Sequence, residues 1–189
     1  FLEGEVCGFC AVVDHERGSR TQGYFKSGAI TGFGCIESLD HEYRYTGGFA
    51  QGEYHGKGEE LIKGTQYVGE FFEHSRHGIG VYKDDGGSYL GDWVAGEREG
   101  FGVEKFKNKD MYQGSFLSNL KNGYGRYIHQ RDNSVYTGNF VEGLRQGLGR
   151  LEQEDGSFYI GSWELGKREG LGLEMTRDSR VYFGHWRKD

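Results

Sequence analysis

One template of tyrosine and glycine recurs along this chain every 22 to 24 residues. The copy that begins at Tyr89 reads Y-x-G-x-W-x-x-G-x-x-x-G-x-G, and a period of this length is typical of proteins in which each copy is one supersecondary unit. The sequence therefore predicts a single repeat array over residues 1–189, with a partial copy at 1–20, seven full copies that start at 21, 45, 67, 89, 112, 136 and 159, and a partial copy at 182–189.

Glycine accounts for 35 of the 189 residues, and proline is absent. Each glycine would cost about 0.5 to 1 kcal/mol inside a helix, whereas the many aromatic rings exclude a flexible or collagen-like chain. We therefore expect an all-β fold in which each copy is a hairpin. The hairpins would stack into an elongated, rod-like, twisted antiparallel sheet with essentially no helix. About sixteen strands at roughly 4.8 Å spacing would span about 75 Å.

Residues two apart in a strand share a face, so Tyr89, Gly91 and Trp93 point the same way. The missing side chain of the glycine leaves room for a ring. His74 and Asn119 replace a loop glycine, a position that favours a left-handed backbone. We expect one buried aromatic face, formed by Tyr45, Phe49, Tyr67, Phe71, Tyr89, Trp93, Tyr112, Phe116, Tyr136, Phe140 and Tyr159. The residues between paired glycines are apolar except for Lys57, and we expect the apolar ones on the same buried face: Phe33, Ile79, Phe101, Tyr124, Leu148 and Leu171.

The charge and composition exclude several classes of function. A net charge of −6 argues against binding to nucleic acid, and no apolar run approaches the ~20 residues of a membrane span. Three cysteines fit a reducing, cytoplasmic setting. No nucleophile, base and orienting group converge, so we expect neither enzyme activity nor an organic cofactor. Because the chain opens at Phe1 without an initiator Met, we expect it to be a fragment of a longer protein.

The spacing Cys7-x-x-Cys10, with Cys35 and His15 further on, raises the alternative of a zinc site. Residues three apart on a strand face opposite sides, and Cys35 stands one position beyond the glycine slot that Cys10 occupies. We therefore expect no zinc site within one chain. A site shared between two chains at the amino-terminal end stays open.

Five basic residues occupy the same loop position in successive copies: Arg76, Arg98, Lys121, Arg145 and Arg168. We call them the basic row, and we expect them to line one edge of the rod at intervals of about 10 Å, which is two strand widths. Such a row could bind lipid headgroups or an acidic protein surface. Acidic residues in the same loops, such as Glu97 and Glu99, dilute its charge.

The register Y-x-G-x-[WF]-x-x-G-x-x-x-G-x-G resembles the MORN (membrane occupation and recognition nexus) repeat over nearly the whole chain. An array without an attached catalytic domain is similar to the all-MORN proteins of protist cytoskeletons. The resemblance implies a structural protein of the cytoplasm, associated with the cytoskeleton or with the membrane periphery, and the family name implies phospholipid binding as an alternative.

We expect a non-enzymatic scaffold that forms a homodimer or oligomer within a cytoskeletal assembly. The alternatives are a phosphoinositide-binding adaptor, which would use the basic row, and a peptide- or protein-binding groove on the aromatic face. The chain stops after one strand of its last copy, so we place the dimer interface at the carboxyl end, with Trp163, Tyr182, Gly184 and Trp186. The amino-terminal end ranks second because it offers only Phe1 and Phe9.

Overall fold

The computed structural model describes residues 6–189, so Phe1 and the start of the first partial copy lie outside the described residues. These residues form sixteen strands and no helix, which confirms the all-β prediction. Contacts divide the chain into two compact units, one that ends at Glu97 and one from Arg98 to Asp189.

In the amino-terminal unit, consecutive strands are hydrogen-bonded neighbours and the described pairs are antiparallel. Its strands are β1 Gly8–Asp14, β2 Ser19–Lys26, β3 Ala29–Ser38, β4 Tyr43–Ala50, β5 Glu53–Ile62, β6 Thr65–Phe72, β7 Ser75–Asp84 and β8 Gly87–Val94.

The carboxyl-terminal unit repeats this arrangement, again with antiparallel neighbours in sequence order. Its strands are β9 Glu97–Phe106, β10 Met111–Leu117, β11 Leu120–Ile128, β12 Val135–Val141, β13 Leu144–Glu152, β14 Phe158–Glu164, β15 Lys167–Met175 and β16 Val181–Trp186.

The two-residue hairpin loops within the copies have positive φ at both central residues. In the loop between β6 and β7, φ is 46° at Glu73 and 64° at His74; between β10 and β11 it is 45° at Ser118 and 69° at Asn119. Two such residues define a type I′ turn, whose twist matches that of the flanking strands. The left-handed backbone predicted at His74 and Asn119 is confirmed.

The core of each unit is a layer of aromatic rings on one face of the sheet, which we call the ring face. Tyr67 is fully buried, and its ring lies edge-on to Phe71 of its own copy and to Trp93 of the next, with centroids 5.1 and 5.2 Å away. Tyr112 repeats this arrangement with Phe116 and Phe140 at 5.2 and 5.1 Å. Each tyrosine therefore joins its copy to the next, and the predicted aromatic residues are all buried.

Each buried tyrosine also needs a partner for its hydroxyl, because an unsatisfied buried polar group is costly. The hydroxyl of Tyr112 donates a hydrogen bond to the carbonyl oxygen of Ser115 at 2.9 Å, and Tyr136 donates to that of Asn139 at 3.0 Å. The same bond to the residue three positions on recurs at Tyr45, Tyr67, Tyr89 and Tyr159.

Candidate functional site

The face opposite the rings carries large apolar side chains that are open to solvent. They stand between the paired glycines of alternate strands, where we expected buried residues, and that prediction was wrong. The second glycine of the pair faces the ring layer, a tyrosine ring at Gly80 and Gly125 and the Phe49 ring at Gly34, so strand alternation turns the residue before it outward. The exposed fractions are 73% at Phe33, 62% at Ile79, 54% at Phe101, 65% at Tyr124, 69% at Leu148 and 51% at Leu171.

In the carboxyl-terminal unit these side chains form a row across the strands, which we call the apolar row: Phe101, Tyr124, Leu148 and Leu171. The intervening strands place polar residues directly opposite them: Ser115 pairs with Phe101, Asn139 with Tyr124, and Ser162 with Leu148. One large apolar group therefore recurs about every 10 Å, two strand widths, with a polar residue between.

The residues of the basic row are each the second residue of a strand, next to a hairpin loop, and their side chains lie on the ring face. Arg76 pairs across the strands with Phe71, and Lys121 pairs with Phe116. Directly paired residues share a face, so the cations point toward the rings. Arg76 lies 5.0 Å from the ring centre of Tyr67, and Arg168 lies 4.0 Å from that of Trp186.

Three cations of the basic row form half-buried ion pairs. Arg76 lies 2.8 Å from Glu60, and Arg168 lies 2.8 Å from Glu174. Arg98 pairs with Glu104 and also donates to the carbonyl oxygen of Asn119. These contacts neutralise much of the charge on which lipid binding by the row would depend, and phospholipid binding stays a prediction.

Lys121 and Arg145 differ from the other three cations. Fifteen residues after the repeat tyrosine, the copies of Arg98 and Arg168 have Glu104 and Glu174, but the copies of Lys121 and Arg145 have Tyr127 and Leu151. The copy of Arg76 has a tyrosine there as well, and Arg76 pairs with Glu60 of the preceding copy. Within residues 6–189, no carboxylate lies within salt-bridge distance of either cation. Burial lowers the pKa of the Lys121 amine and that of the Arg145 guanidinium.

Aromatic rings replace the missing carboxylates around these two cations. Lys121 Nζ lies 4.6 Å from the ring centre of Tyr127 and 5.6 to 5.7 Å from those of Phe106, Tyr112 and Phe140. Arg145 lies 4.9 Å from both Tyr136 and Trp163. Cation–π attraction of this kind holds a cation in place but leaves its charge uncompensated.

His129 bridges Arg145 to a buried carboxylate. Nη2 of Arg145 lies 2.9 Å from Nε2 of His129, while Nδ1 of His129 lies 3.5 Å from Asp110. A guanidinium can only donate, so Nε2 accepts and the imidazole proton resides on Nδ1. Burial alone would raise the pKa of Asp110, but hydrogen bonds from the Gln130 amide and from Tyr127 hold it below its usual value.

A depression of about 360 Å³ opens beside these groups in the carboxyl-terminal unit. Lys121, Tyr127, His129 and Arg145 supply its polar wall. The rest of the lining is Phe140, Leu144 and the loop glycines Gly143 and Gly166. The two cations were predicted from the sequence, but His129, Tyr127 and Asp110 were not. The change from glutamate to tyrosine or leucine opposite the repeat tyrosine was a weak signal, because the copy of Arg76 has Tyr82 there and Arg76 still finds a carboxylate in the preceding copy.

The residues predicted for a dimer interface differ in exposure. Trp163 is 4% exposed, because it packs against Tyr136 and Tyr159 within its own chain. Tyr182, by contrast, is 51% exposed, and Trp186 is half-buried. A methyl group on Gly184 would meet the Tyr182 hydroxyl, so this glycine serves the same purpose as those in the full copies.

The three cysteines are free thiols, with Cys7 exposed and Cys10 and Cys35 half-buried. Cys10 pairs with Gly23, which in turn pairs with Gly34, so Cys35 faces the opposite side of the sheet from Cys10. Within residues 6–189 no three His, Cys, Asp or Glu side chains are grouped to hold a metal ion. No helix within the described part of the chain is long and apolar enough to span a membrane.

The chain matches the family model described as "MORN repeat" at residues 45–62, 67–88, 89–111, 112–130, 136–158 and 159–178. No curated protein is significantly similar to it in sequence.

Among solved structures, the chain is similar to two from Drosophila melanogaster. One is the TCP domain of SAS-4 (dCPAP) in complex with a proline-rich motif of Ana2 (dSTIL), at 13% identity and a TM-score of 0.42, covering 94% of this chain and 90% of that one. The other is the TCP10c domain of Sas-4, at 13% identity and a TM-score of 0.40, covering 95% and 99%. Likeness at this level carries no information about function.

Proposed function

We propose that this chain, which belongs to the MORN repeat family, is a non-catalytic scaffold that binds a protein partner along the apolar row. The setting we propose is a cytoskeletal assembly in the cytoplasm, as the similarity to cytoskeletal all-MORN proteins implies. The exposure of the apolar row is the observation that carries the proposal.

Large apolar side chains on a sheet usually face the core, where fully burying one contributes about 1.5 to 3 kcal/mol. The apolar row instead holds Tyr124 and Leu148 at 65% and 69% exposure. Exposed apolar residues scattered singly are normal on a protein surface, but here one recurs at the same position in four successive copies, so a partner that runs across the strands meets all four. A partner that covers this row would bury these exposed side chains, and their burial would stabilise the complex.

The spacing of the row suggests the shape of the partner. Apolar groups about 10 Å apart match the distance of about 10.5 Å between equivalent positions of a heptad-repeat helix, whose rise is 1.5 Å per residue. An amphipathic helix that crosses the strands of the carboxyl-terminal unit would therefore meet one apolar side chain per heptad.

The test begins with partners captured from extract of the source cells by the full chain. Each is then purified, and its affinity is measured against the double variant Tyr124→Ser/Leu148→Ser. Val141→Ser is the matched control, because Val141 is 48% exposed but lies outside the row. We expect the double variant to weaken binding by about 10-fold or more and the control to leave it unchanged. Equal affinities for all three chains would refute the proposal.

A second candidate function is self-association through β16, which a different observation favours. The indole Nε1 of Trp186 is buried without a hydrogen-bond partner within residues 6–189, whereas Trp163 Nε1 donates to the carbonyl oxygen of Gly149 at 3.2 Å. Tyr182 and Phe183 are 51% and 71% exposed on the same strand. An added strand from a second copy would cover these rings.

Light scattering coupled to size exclusion tests this second function directly. We expect a dimer that becomes a folded monomer in the double variant Tyr182→Ser/Trp186→Ser. An unmodified chain that is monomeric at tens of micromolar would exclude it, and a dimer unaffected by these substitutions would place the interface elsewhere.

A further inference from the structure

The depression beside Lys121 and Arg145 concentrates positive charge on an otherwise balanced ring face. Arg76, Arg98 and Arg168 each have a carboxylate partner, but these two neighbouring cations have none within salt-bridge distance among residues 6–189. Both nevertheless line the same depression of about 360 Å³. It therefore presents two adjacent positive groups to a ligand.

Among residues 6–189, the nearby acidic side chains do not form salt bridges with Lys121 or Arg145. Asp110 already accepts hydrogen bonds from the Gln130 amide at 2.8 Å and from Tyr127 at 2.9 Å, and His129 separates it from Arg145. Glu104 is the salt-bridge partner of Arg98. These carboxylates act on Lys121 only from beyond salt-bridge distance.

The side chains of Lys121 and Arg145 are ordered before any ligand binds. Four rings surround Lys121 Nζ, two rings flank the guanidinium of Arg145, and the bond to His129 fixes one of its amino groups. Side chains that are already ordered lose little entropy when they bind a ligand. The Arg145 fork presents further N–H donors in a fixed plane, which is the geometry that phosphate recognition uses.

We propose that this depression binds the phosphate group of a phosphorylated serine or threonine on a protein partner. A phosphate monoester carries about two negative charges at neutral pH, matching one lysine and one arginine, whereas a carboxylate carries one. The site lies on the ring face and does not depend on the apolar row, so either can fail without the other.

A membrane surface suits this site less well than a single phosphorylated side chain. Bilayer attraction adds up over several basic residues that reach an anionic surface together, at about 1 kcal/mol each. Here the other three cations of the basic row are paired with carboxylates, and the chain has a net charge of −6. Only two cations remain, and both are half-buried among rings.

The test uses N-acetyl-phosphoserine methylamide as the probe, titrated into the full chain and followed by the NMR signals of the His129 imidazole and the Trp163 indole. N-acetyl-glutamate methylamide and the unphosphorylated serine compound serve as matched ligands. We expect saturable shifts with phosphoserine, weaker binding by about 10-fold with glutamate, and no shift with serine.

Substitutions then locate the site. Arg145→Gln should weaken phosphoserine binding by about 10-fold or more, whereas Arg150→Gln, in the same strand but on the opposite face, should leave it unchanged. Lys121→Met, which keeps an apolar group among the rings, should act like Arg145→Gln. Far-ultraviolet circular dichroism checks that each variant folds, and the ligand comparison on unmodified protein stands even if one does not.

Three results would overturn the proposal. The first is equal affinity for phosphoserine and glutamate, which would make this a carboxylate site. The second is binding to vesicles with phosphatidylinositol 4-phosphate but not to the phosphoserine probe, which would make the ligand a membrane. The third is the absence of any shift with the probe.

Discussion

The ring of Tyr112 covers Gly125 on the neighbouring strand so closely that a methyl group there would lie 2.4 Å from the tyrosine hydroxyl. The same contact recurs between Tyr67 and Gly80 and between Tyr136 and Gly149, at 2.3 Å in both cases. These glycines are thus positions where backbone and ring touch, and any side chain would displace the ring.

Gly125→Ala should therefore destabilise the fold by about 1 to 3 kcal/mol, the usual cost of overpacking. Arg126→Ala is the matched control because Arg126 is exposed on the opposite face of the same strand, and we expect a change within about 0.5 kcal/mol. Urea denaturation of both variants measures the difference. Equal stabilities would show that the ring does not depend on this glycine.

The ion pair of Arg76 with Glu60 should contribute to stability because the two side chains are only 21% and 12% exposed. Arg76→Gln leaves a half-buried carboxylate without its cation, and we expect a loss of about 1 to 3 kcal/mol. Lys63→Gln breaks a pair whose side chains are 71% and 55% exposed, and should cost at most about 1 kcal/mol. Thermal unfolding distinguishes them; an equal loss in the two variants would contradict the role of burial.

The fold should unfold at alkaline pH because its core tyrosines must stay neutral. Burial raises the pKa of Tyr67, Tyr112 and Tyr136 from 10.0 to about 12. Their contribution is complete below pH 10, where the ring is protonated in both states. It is lost as the pH rises from 10 through 12, because the unfolded chain releases its protons first.

Circular dichroism and the absorbance of tyrosinate, followed together against pH, check this prediction. The buried rings should ionise only as the strand signal disappears. Tyrosinate from all of the tyrosines at a pH where the sheet is intact would show that the rings ionise inside the fold.

Acidic vesicles test the lipid alternative. We expect no co-sedimentation of the chain with phosphoinositide vesicles even at low ionic strength, where electrostatic attraction is strongest. Arg98 and two other cations of the basic row are paired with carboxylates, which leaves a weak net field. Salt-sensitive co-sedimentation that disappears when Arg98, Lys121 and Arg145 become Ser would instead support lipid binding.

Zinc content tests the remaining metal alternative. We expect elemental analysis to find less than one zinc per chain because Cys10 and Cys35 face opposite sides of the sheet. Stoichiometric zinc that is lost in Cys7→Ser or Cys10→Ser would reveal a site, and a dimer that needs zinc would assign it to two chains.

Several features of the fold were predictable because they depend on short-range rules. The spacing of Tyr89, Gly91 and Trp93 defined the repeat, and strand alternation placed the ring beside the glycine. His74 and Asn119 indicated left-handed loop positions because they occupy a slot that is glycine in other copies. The same alternation turns Ile79 outward, because its neighbour Gly80 lies under the Tyr67 ring. Our prediction that Ile79 is buried did not apply this rule.

The sequence by itself thus determined the repeat, the strands, the turns and the family, because each follows from residues a few positions apart. Only the tertiary structure decided where the charges lie. Arg145 meets Trp163 of the next strand and His129 of the segment after β11, and Lys121 meets Tyr127 where three other copies have a glutamate. Those contacts join side chains about 6 to 18 positions apart, and they depend on the lean of each ring within the layer, which no local pattern specifies.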